Sequence, residues 1–326
     1  MNLLYPLKFH PILRDKIWGG KKIKTSLHYD FSPLPNCGEA WMISGVQGFE
    51  SVVSEGALEG NTLNELIEIF MGDLVGDKVY EEFGTDFPLL IKFLDASQWL
   101  SIQVHPDDEL AQARGYERGK TEMWYILESD EGAELISGFS QKISKAEYQK
   151  RLKDKTLQPV LNYEAVHKGD VFYMPSGRVH AIGPGILLAE IQQSADLTYR
   201  IYDWDRVDDK GNPRQLHIAE ALDAIDFKVY KNYKTEYQPV ENETVTIVDE
   251  KYFTTNIMHF HKAVMKNYEE LDSFVIYMIT DGSVKLKYSG GEMDVGKGDV
   301  ILLPASINDV DIYPTPKVNI LEIYLK

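Results

Sequence analysis

The chain is poor in cysteine, poor in positive charge and without a long apolar run, and each shortage removes a class of protein. One cysteine, Cys37, stands among 326 residues, so neither an internal disulfide nor a Cys-built zinc ribbon or iron–sulfur cluster can form. Apolar stretches such as 87–91 and 300–303 fall far short of the roughly 20 residues a spanning helix needs, and no transmembrane helix is expected. Lys and Arg number 34 against 51 Asp and Glu, a formal net charge of −17. Nucleic acid and anionic membrane both demand a basic footprint, so neither is expected as a partner. An anionic small molecule would need a few local cations to reverse the global field. The opening segment carries Lys8, His10, Arg14 and Asp15 among its apolar residues and lacks the basic n-region and small-residue cleavage site of a secretory leader; a cytoplasmic protein is the expectation.

At ~150 residues per domain the length suggests two domains, or one large domain with an insert. Residues 1–56 read as short strands and turns, with a tight turn at Trp18-Gly19-Gly20. After Asn61-Thr62, the residues Leu63, Leu66, Ile67, Phe70 and Met71 recur at helical spacing, followed by Val79 to Phe83; the pattern predicts a helical insert around 60–85. From Phe87 onward β-branched, aromatic and Leu residues dominate. Strands are predicted at 123–128, 169–174, 186–191, 252–261, 272–279 and 299–303, and helices at 107–114, 144–152 and 213–226. A polar stretch at 231–243 is the boundary candidate, dividing the chain into 1–230 and 231–326.

The regions on either side of that boundary resemble each other. Lys168-Gly169-Asp170-Val171 to Pro175 matches Lys297-Gly298-Asp299-Val300 to Pro304, and each is preceded by an apolar strand ending in an acidic residue and Gly, at 123–132 and 274–282. A strand, an acidic turn, K-G-D, a strand and Pro found twice predict a duplicated β unit: two small barrels or sandwiches. The first copy continues to Ser176, Gly177 and His180, and its G-x5-P-x-G-x2-H spacing resembles the second signature of the cupin superfamily. Upstream, Gln103 and His105 are i and i+2 on a predicted strand and share a face, with Glu122 heading the next strand. Two imidazoles, an amide oxygen and a carboxylate suit Zn2+, one ion per chain; polar residues on a solvated strand face are the plain alternative. In the second copy the matching positions fall at Ser306 and about Asp309. No His completes a site there, and His259 and His261 are read as strand residues.

The runs Ser101 to Asp108, Gly119-Lys120-Thr121-Glu122, Pro175 to His180 and Glu190 to Arg200, together with Trp18-Gly19-Gly20, Gly38 to Trp41 and Phe87 to Lys92, closely resemble the type I phosphomannose isomerases, particularly the short bacterial form. The resemblance covers nearly the whole chain. It implies a mainly β fold of two cupin (jelly-roll) barrels with a helical insert, and a zinc-dependent aldose–ketose isomerase acting on mannose 6-phosphate and fructose 6-phosphate. By motif position the metal ligands would be Gln103, His105, Glu122 and His180, with Trp18, Glu39, Ser101, Lys120, Glu190 and Arg200 as further active-site positions. One departure is visible: Thr121 stands where longer family members have Pro, which leaves the geometry of that loop open.

The chemistry suits these residue types. Moving a proton between C1 and C2 through an enediol needs a proton shuttle and a stabiliser of developing negative charge on oxygen. Either Glu190 or Lys120 fits the shuttle. Arg200, with Lys120 second, is the candidate for the phosphate, while Arg178 and Arg206 read as surface charge. Trp18 and Trp41 read as core residues, with a ring of either able to wall a sugar pocket. Cys37 reads as a buried structural thiol, and His10, His28, His167 and His217 as structural or exposed. Two rivals stay open: another metal-dependent cupin enzyme, and a sugar-phosphate-binding module without turnover.

Overall fold

The structure is a computed structural model that describes residues 3–207 and 210–326. The chain is mainly β, and among the described residues hydrogen bonding arranges the strands into sheets of eight, five and six strands, each with open ends rather than closed into a barrel. It divides into two compact units, one of 13–40 with 92–235 and one of 1–12, 41–91 and 236–326. These units do not follow the expected 1–230 and 231–326 division. The N-terminal strand and the helical insert group with the C-terminal region, because Leu7–Lys8 pairs with Leu302 and Ile301 and Phe87 packs on Phe274 at 4.7 Å between ring centroids.

In the unit containing 92–235, strand Glu122–Ser129 lies between Ile186–Gln193 and Val171–Met174. A second sheet runs in the order 199–202, 102–104, 180–182, 134–139, 161–165. Their buried faces form two apolar clusters, one around Ile102, Ile136, Phe139 and Tyr199 and one around Trp18, Leu94, Trp124 and Phe172. Helix Asp108–Ala113 starts where the Asp107 carboxylate accepts from Leu110 N, and Lys145–Lys153 where the Ser144 hydroxyl accepts from Glu147 N. These are side-chain N-caps of the ordinary kind. The predicted helix at 213–226 shrinks to Ile218–Ala224. Pro213 is bridged to Val207, and the next residues direct their polar groups to Arg200 and Asp203 instead of to helical hydrogen bonds.

In the other unit the insert becomes three short helices, Leu63–Phe70, Gly72–Val75 and Asp77–Phe83; the first opens with a capping box between Thr62 and Glu65. The strand expected to end at 279 runs on to 288. Its acidic-Gly signature marks a bulge, not a turn. Gly282 has φ +76°, and a Cβ there would lie 2.1 Å from Lys317 O, so the strand continues past the kink alongside Asp309–Tyr324. The duplication holds at the level of register. Val171 and Met174 face Tyr125 and Glu122, as Val300 and Leu303 face Met278 and Val275.

Candidate active site

Strand parity and one tight turn deliver the polar groups of the first unit. Gln103 lies opposite both His180 and Arg200, Glu122 lies opposite Met174 and Gln192, and Glu190 opposite Trp124. Gly177, with φ +84°, makes the turn before His180, and a Cβ there would press on Ala224 O at 3.0 Å. Its N–H donates to His105 O at 2.8 Å, tying the turn to the end of the neighbouring strand.

His105, Glu122 and His180 place donor atoms within 4.8 Å of one another, all three side chains being buried. Nδ1 of His105 donates to Leu197 O and Nδ1 of His180 to Arg178 O, both at 2.8 Å. Each ring therefore turns a lone pair on Nε2 toward the cluster. Burial holds His105 well below the usual histidine range and His180 at about 4, so both are neutral at pH 7. His105 Nε2 and Glu122 Oε1 are buried without a hydrogen-bond partner, a costly arrangement unless something outside the chain satisfies them. His180 Nε2 lies 3.3 Å from Glu122 Oε1 and 3.2 Å from the amide nitrogen of Gln103; a half-turn of that amide presents its oxygen instead. The donor set fits a divalent cation.

A cavity of about 130 Å3 opens beside these groups and is walled by Trp18, Glu39, Ser101, Lys120, Glu190 and Arg200, along with Gln103 and His180. The ligand and active-site positions implied by the resemblance thus lie on this cavity or, for His105 and Glu122, in the buried cluster behind it. Three larger clefts, of about 470, 440 and 430 Å3, contain none of the cluster's donors. The cavity is strongly polar. Lys120 Nζ sits 2.9 Å from Glu122 Oε2, Lys92 Nζ 3.1 Å from Glu190 Oε1 and Lys16 Nζ 3.1 Å from Glu39 Oε1. Burial pushes the Glu122 carboxyl up, against the pull of Lys120. Burial opposes ionisation of Glu190 too, but Lys92 and Lys120 outweigh it and hold that carboxyl below the usual range. Lys120 is likewise kept protonated, burial being outweighed by Glu122 and Glu190. Ser101 donates to Gln103 Oε1 at 3.2 Å.

The chain matches the phosphomannose isomerase type I catalytic domain over residues 6–141 and the mannose-6-phosphate isomerase cupin domain over 242–318. It is 36% identical to mannose-6-phosphate isomerase of Streptococcus mutans, over 93% of each chain. The crystal structure of mannose 6-phosphate isomerase from Bacillus subtilis superposes with a TM-score of 0.86 at 33% identity, covering 98% of this chain and 99% of that one. A phosphomannose isomerase variant from Salmonella typhimurium, 16% identical, shares the fold with a TM-score of 0.79 over 99% of this chain and all of the other. The chain belongs to the type I phosphomannose isomerase family.

Against the type I phosphomannose isomerase resemblance, Thr121 is the residue that departs, and it settles the loop. Its N–H, which a Pro would lack, donates to Gln193 Oε1 at 2.8 Å, and Gln193 in turn donates to Asp108 Oδ1 at 3.0 Å. Two assignments to surface charge are corrected. Arg178 is only 7% exposed, donates to Ser137 Oγ and lies 4.5 and 4.8 Å over the rings of Tyr230 and Tyr233; its stem and guanidinium find apolar and aromatic cover that a linear reading does not reveal. Arg206 is bound to Asp203 and to Trp99 O. Trp18 is both core and cavity wall, whereas Trp41 is fully buried. His217, read as structural or exposed, accepts from Arg200 N at 3.2 Å.

Six polar cavity residues were not predicted as site groups: Lys16, Lys92, Trp124, Asp196, Thr198 and Arg214. Lys92 left a signal, as one cation between Ile91 and Phe93 in a strand, Leu89–Ala96, that is buried on both faces and apolar but for Lys92 and Asp95. A buried Lys is rare without a partner, and Glu190 and Gln192 supply it. Trp124 donates to Glu190 Oε2 at 3.0 Å. Nothing in the sequence marks that contact.

Proposed function

We propose that the chain interconverts mannose 6-phosphate and fructose 6-phosphate through an enediol, with one Zn2+ held by Gln103, His105, Glu122 and His180. The observation that carries this reading is the buried cluster whose two Nε2 atoms and one carboxylate converge, each imidazole fixed by an Nδ1 bond to a backbone carbonyl. A bound zinc ion would supply Lewis-acid polarisation of the sugar carbonyl. The rest is work for the side chains. Glu190, ionised and fixed by Lys92 and Trp124, accepts the proton from one carbon and returns it to its neighbour. Lys120, protonated, donates to the oxygen on which negative charge develops. Arg200 binds the phosphoryl group, and Trp18 and Glu39 confine the sugar. In this assignment the unit of 13–40 and 92–235 is catalytic and the other unit carries no metal. We place the activity in the cytoplasm, a setting consistent with the single buried free thiol of Cys37. Among the described residues no helix is long and apolar enough to cross a membrane.

The test is a coupled isomerase assay on purified protein with mannose 6-phosphate, before and after chelation and after zinc re-addition. Turnover that vanishes with chelator and returns with zinc supports the reading. Absence of turnover in protein shown to hold stoichiometric metal overturns it.

A further inference from the structure

Two guanidinium groups, of Arg206 and Arg214, converge on one carboxylate beside the cavity. Asp203 is buried; its Oδ2 accepts from Arg214 Nε at 2.7 Å, and its Oδ1 accepts from Nη2 of both Arg214 and Arg206. Arg206 spends its remaining nitrogens on backbone, Nε on Asp203 O at 3.2 Å and Nη1 on Trp99 O at 2.7 Å, so it is structural. Arg214 is different. It grips Asp203 through Nε and Nη2, lines the cavity, and has no hydrogen bond from Nη1 among the described residues.

Arg200 shares that wall and is held by the same short segment that carries Arg214. Its Nη1 donates to Gln215 O at 2.9 Å, its backbone N to His217 Nδ1 at 3.2 Å, and His217 N donates back to Arg200 O at 2.8 Å. Arg200 Nε is buried with no hydrogen-bond partner. The charge balance singles out this corner. The three lysines on the cavity wall each face one carboxylate, whereas Arg206 and Arg214 share Asp203 and Arg200 has no ion pair among the described residues, an excess of two positive charges that stays positive even against Asp196 on the same wall. Burial, and after it the charge of Arg214, lowers the Arg200 pKa from its usual value, as expected for like charges that await an anion.

We propose that Arg214 is a second guanidinium contact to the substrate phosphoryl group alongside Arg200, and that Asp203 is the positioning residue that sets its fork. The proposal rests on the sugar-phosphate reading above. Two planar donors suit a dianion whose three oxygens each accept hydrogen bonds, and fixing one fork on a buried carboxylate removes rotamer freedom before the ligand arrives.

The experiment is steady-state kinetics of zinc-loaded Arg214→Ala, Arg214→Lys and Asp203→Asn with mannose 6-phosphate, with inorganic phosphate as competitive inhibitor. Arg214→Ala is expected to raise KM and the phosphate inhibition constant together by about 10- to 100-fold, with kcat within about threefold. Arg214→Lys should recover part of the loss, since it restores charge without the fork. Asp203→Asn should move KM the same way by a smaller factor. An unchanged KM and phosphate inhibition in folded Arg214→Ala overturns the proposal, as does a fall in kcat alone. Should Asp203→Asn fail to fold, Arg214→Ala decides, its side chain being one-third exposed. If the parent protein turns over no mannose 6-phosphate, the functional reading fails; equilibrium binding of inorganic phosphate to parent and Arg214→Ala then still tests the anion subsite, weaker binding by the variant supporting it and equal binding overturning it.

Discussion

Glu190 and Glu322 occupy the same step of the repeated strand pair. Counted from K-G-D, Phe172 faces Trp124, which faces Glu190; in the other unit Ile301 faces Tyr277, which faces Glu322. Both carboxylates are buried, and each is held by a donor from the neighbouring strand, Lys92 for one and Asn256 for the other. The surroundings then diverge. Glu322 is closed in by Asn256 Nδ2 at 2.7 Å, Lys266 Nζ at 2.9 Å and the Tyr268 hydroxyl, while Glu190 borders a cavity with the His105, Glu122 and His180 cluster beside it. The decisive differences are few. Val275 stands at the step of Glu122, and the position matching His180 falls at exposed Asp309, bonded to Asn267. The fold therefore supplies a buried carboxylate twice, but reactivity needs two more residue choices on it.

The comparison can be broken most severely at the ligands. His180→Ala or His105→Ala is expected to lower turnover by at least about 10^3-fold and to remove bound metal, read by elemental analysis alongside the assay; metal retained in both variants would remove them from the ligand set. Next comes the carboxylate pair. Glu190→Gln should lower kcat by about 10^2- to 10^4-fold with metal retained, whereas Glu322→Gln should leave kcat within about twofold and cost about 1–3 kcal/mol in stability from lost charged hydrogen bonds, read by denaturant unfolding. Equal kinetic effects of the two would end the functional distinction between the units. Val275→Glu, placing a carboxylate at the step of Glu122 without a facing His, should destabilise by about 3–5 kcal/mol and bind no second metal. The smallest effect belongs to the double change His259→Ala and His261→Ala. Among the described residues the metal-donor cluster is His105, Glu122 and His180 alone, and His261 is turned to Glu241 at 2.8 Å, so metal content and activity should stay within about twofold; a halved metal content would overturn the assignment of one site per chain.

Much of the candidate site was legible because its spacing is local. Gln103 and His105 declare a shared face by their separation of two, and the Pro-Gly turn before His180 announces a redirected strand. Strands 122–129 and 186–193 and the helices at 108–113 and 145–153 lie close to their predicted spans, where β-branched runs or Asp and Ser N-caps leave strong local marks. The failures share a cause. Arg214 and Asp203 matter through each other across the residues between them, and a helical apolar pattern after Pro213 hid a segment that serves Arg200. The acidic-Gly pair at Gly282 does not distinguish a turn from a bulge, since such pairs serve both alike. The grouping of 1–12 and 41–91 with 236–326 rests on pairings such as Leu7 with Leu302, far apart in sequence.

The sequence by itself determined the residue types and their parity: a mainly β chain with a repeated K-G-D unit, a candidate donor set of Gln103, His105, Glu122 and His180 in the first copy, and an acidic charge balance under which an anion site requires local cations. Only the tertiary structure decided which cations stand beyond a carboxylate's neutralising reach, which Nδ1 atoms fix the imidazoles, and which compact unit owns the helical insert. Side-chain direction along a strand is fixed by the period of two, which any sequence displays, whereas charge compensation depends on distances of a few ångströms between residues that only the folded backbone brings together.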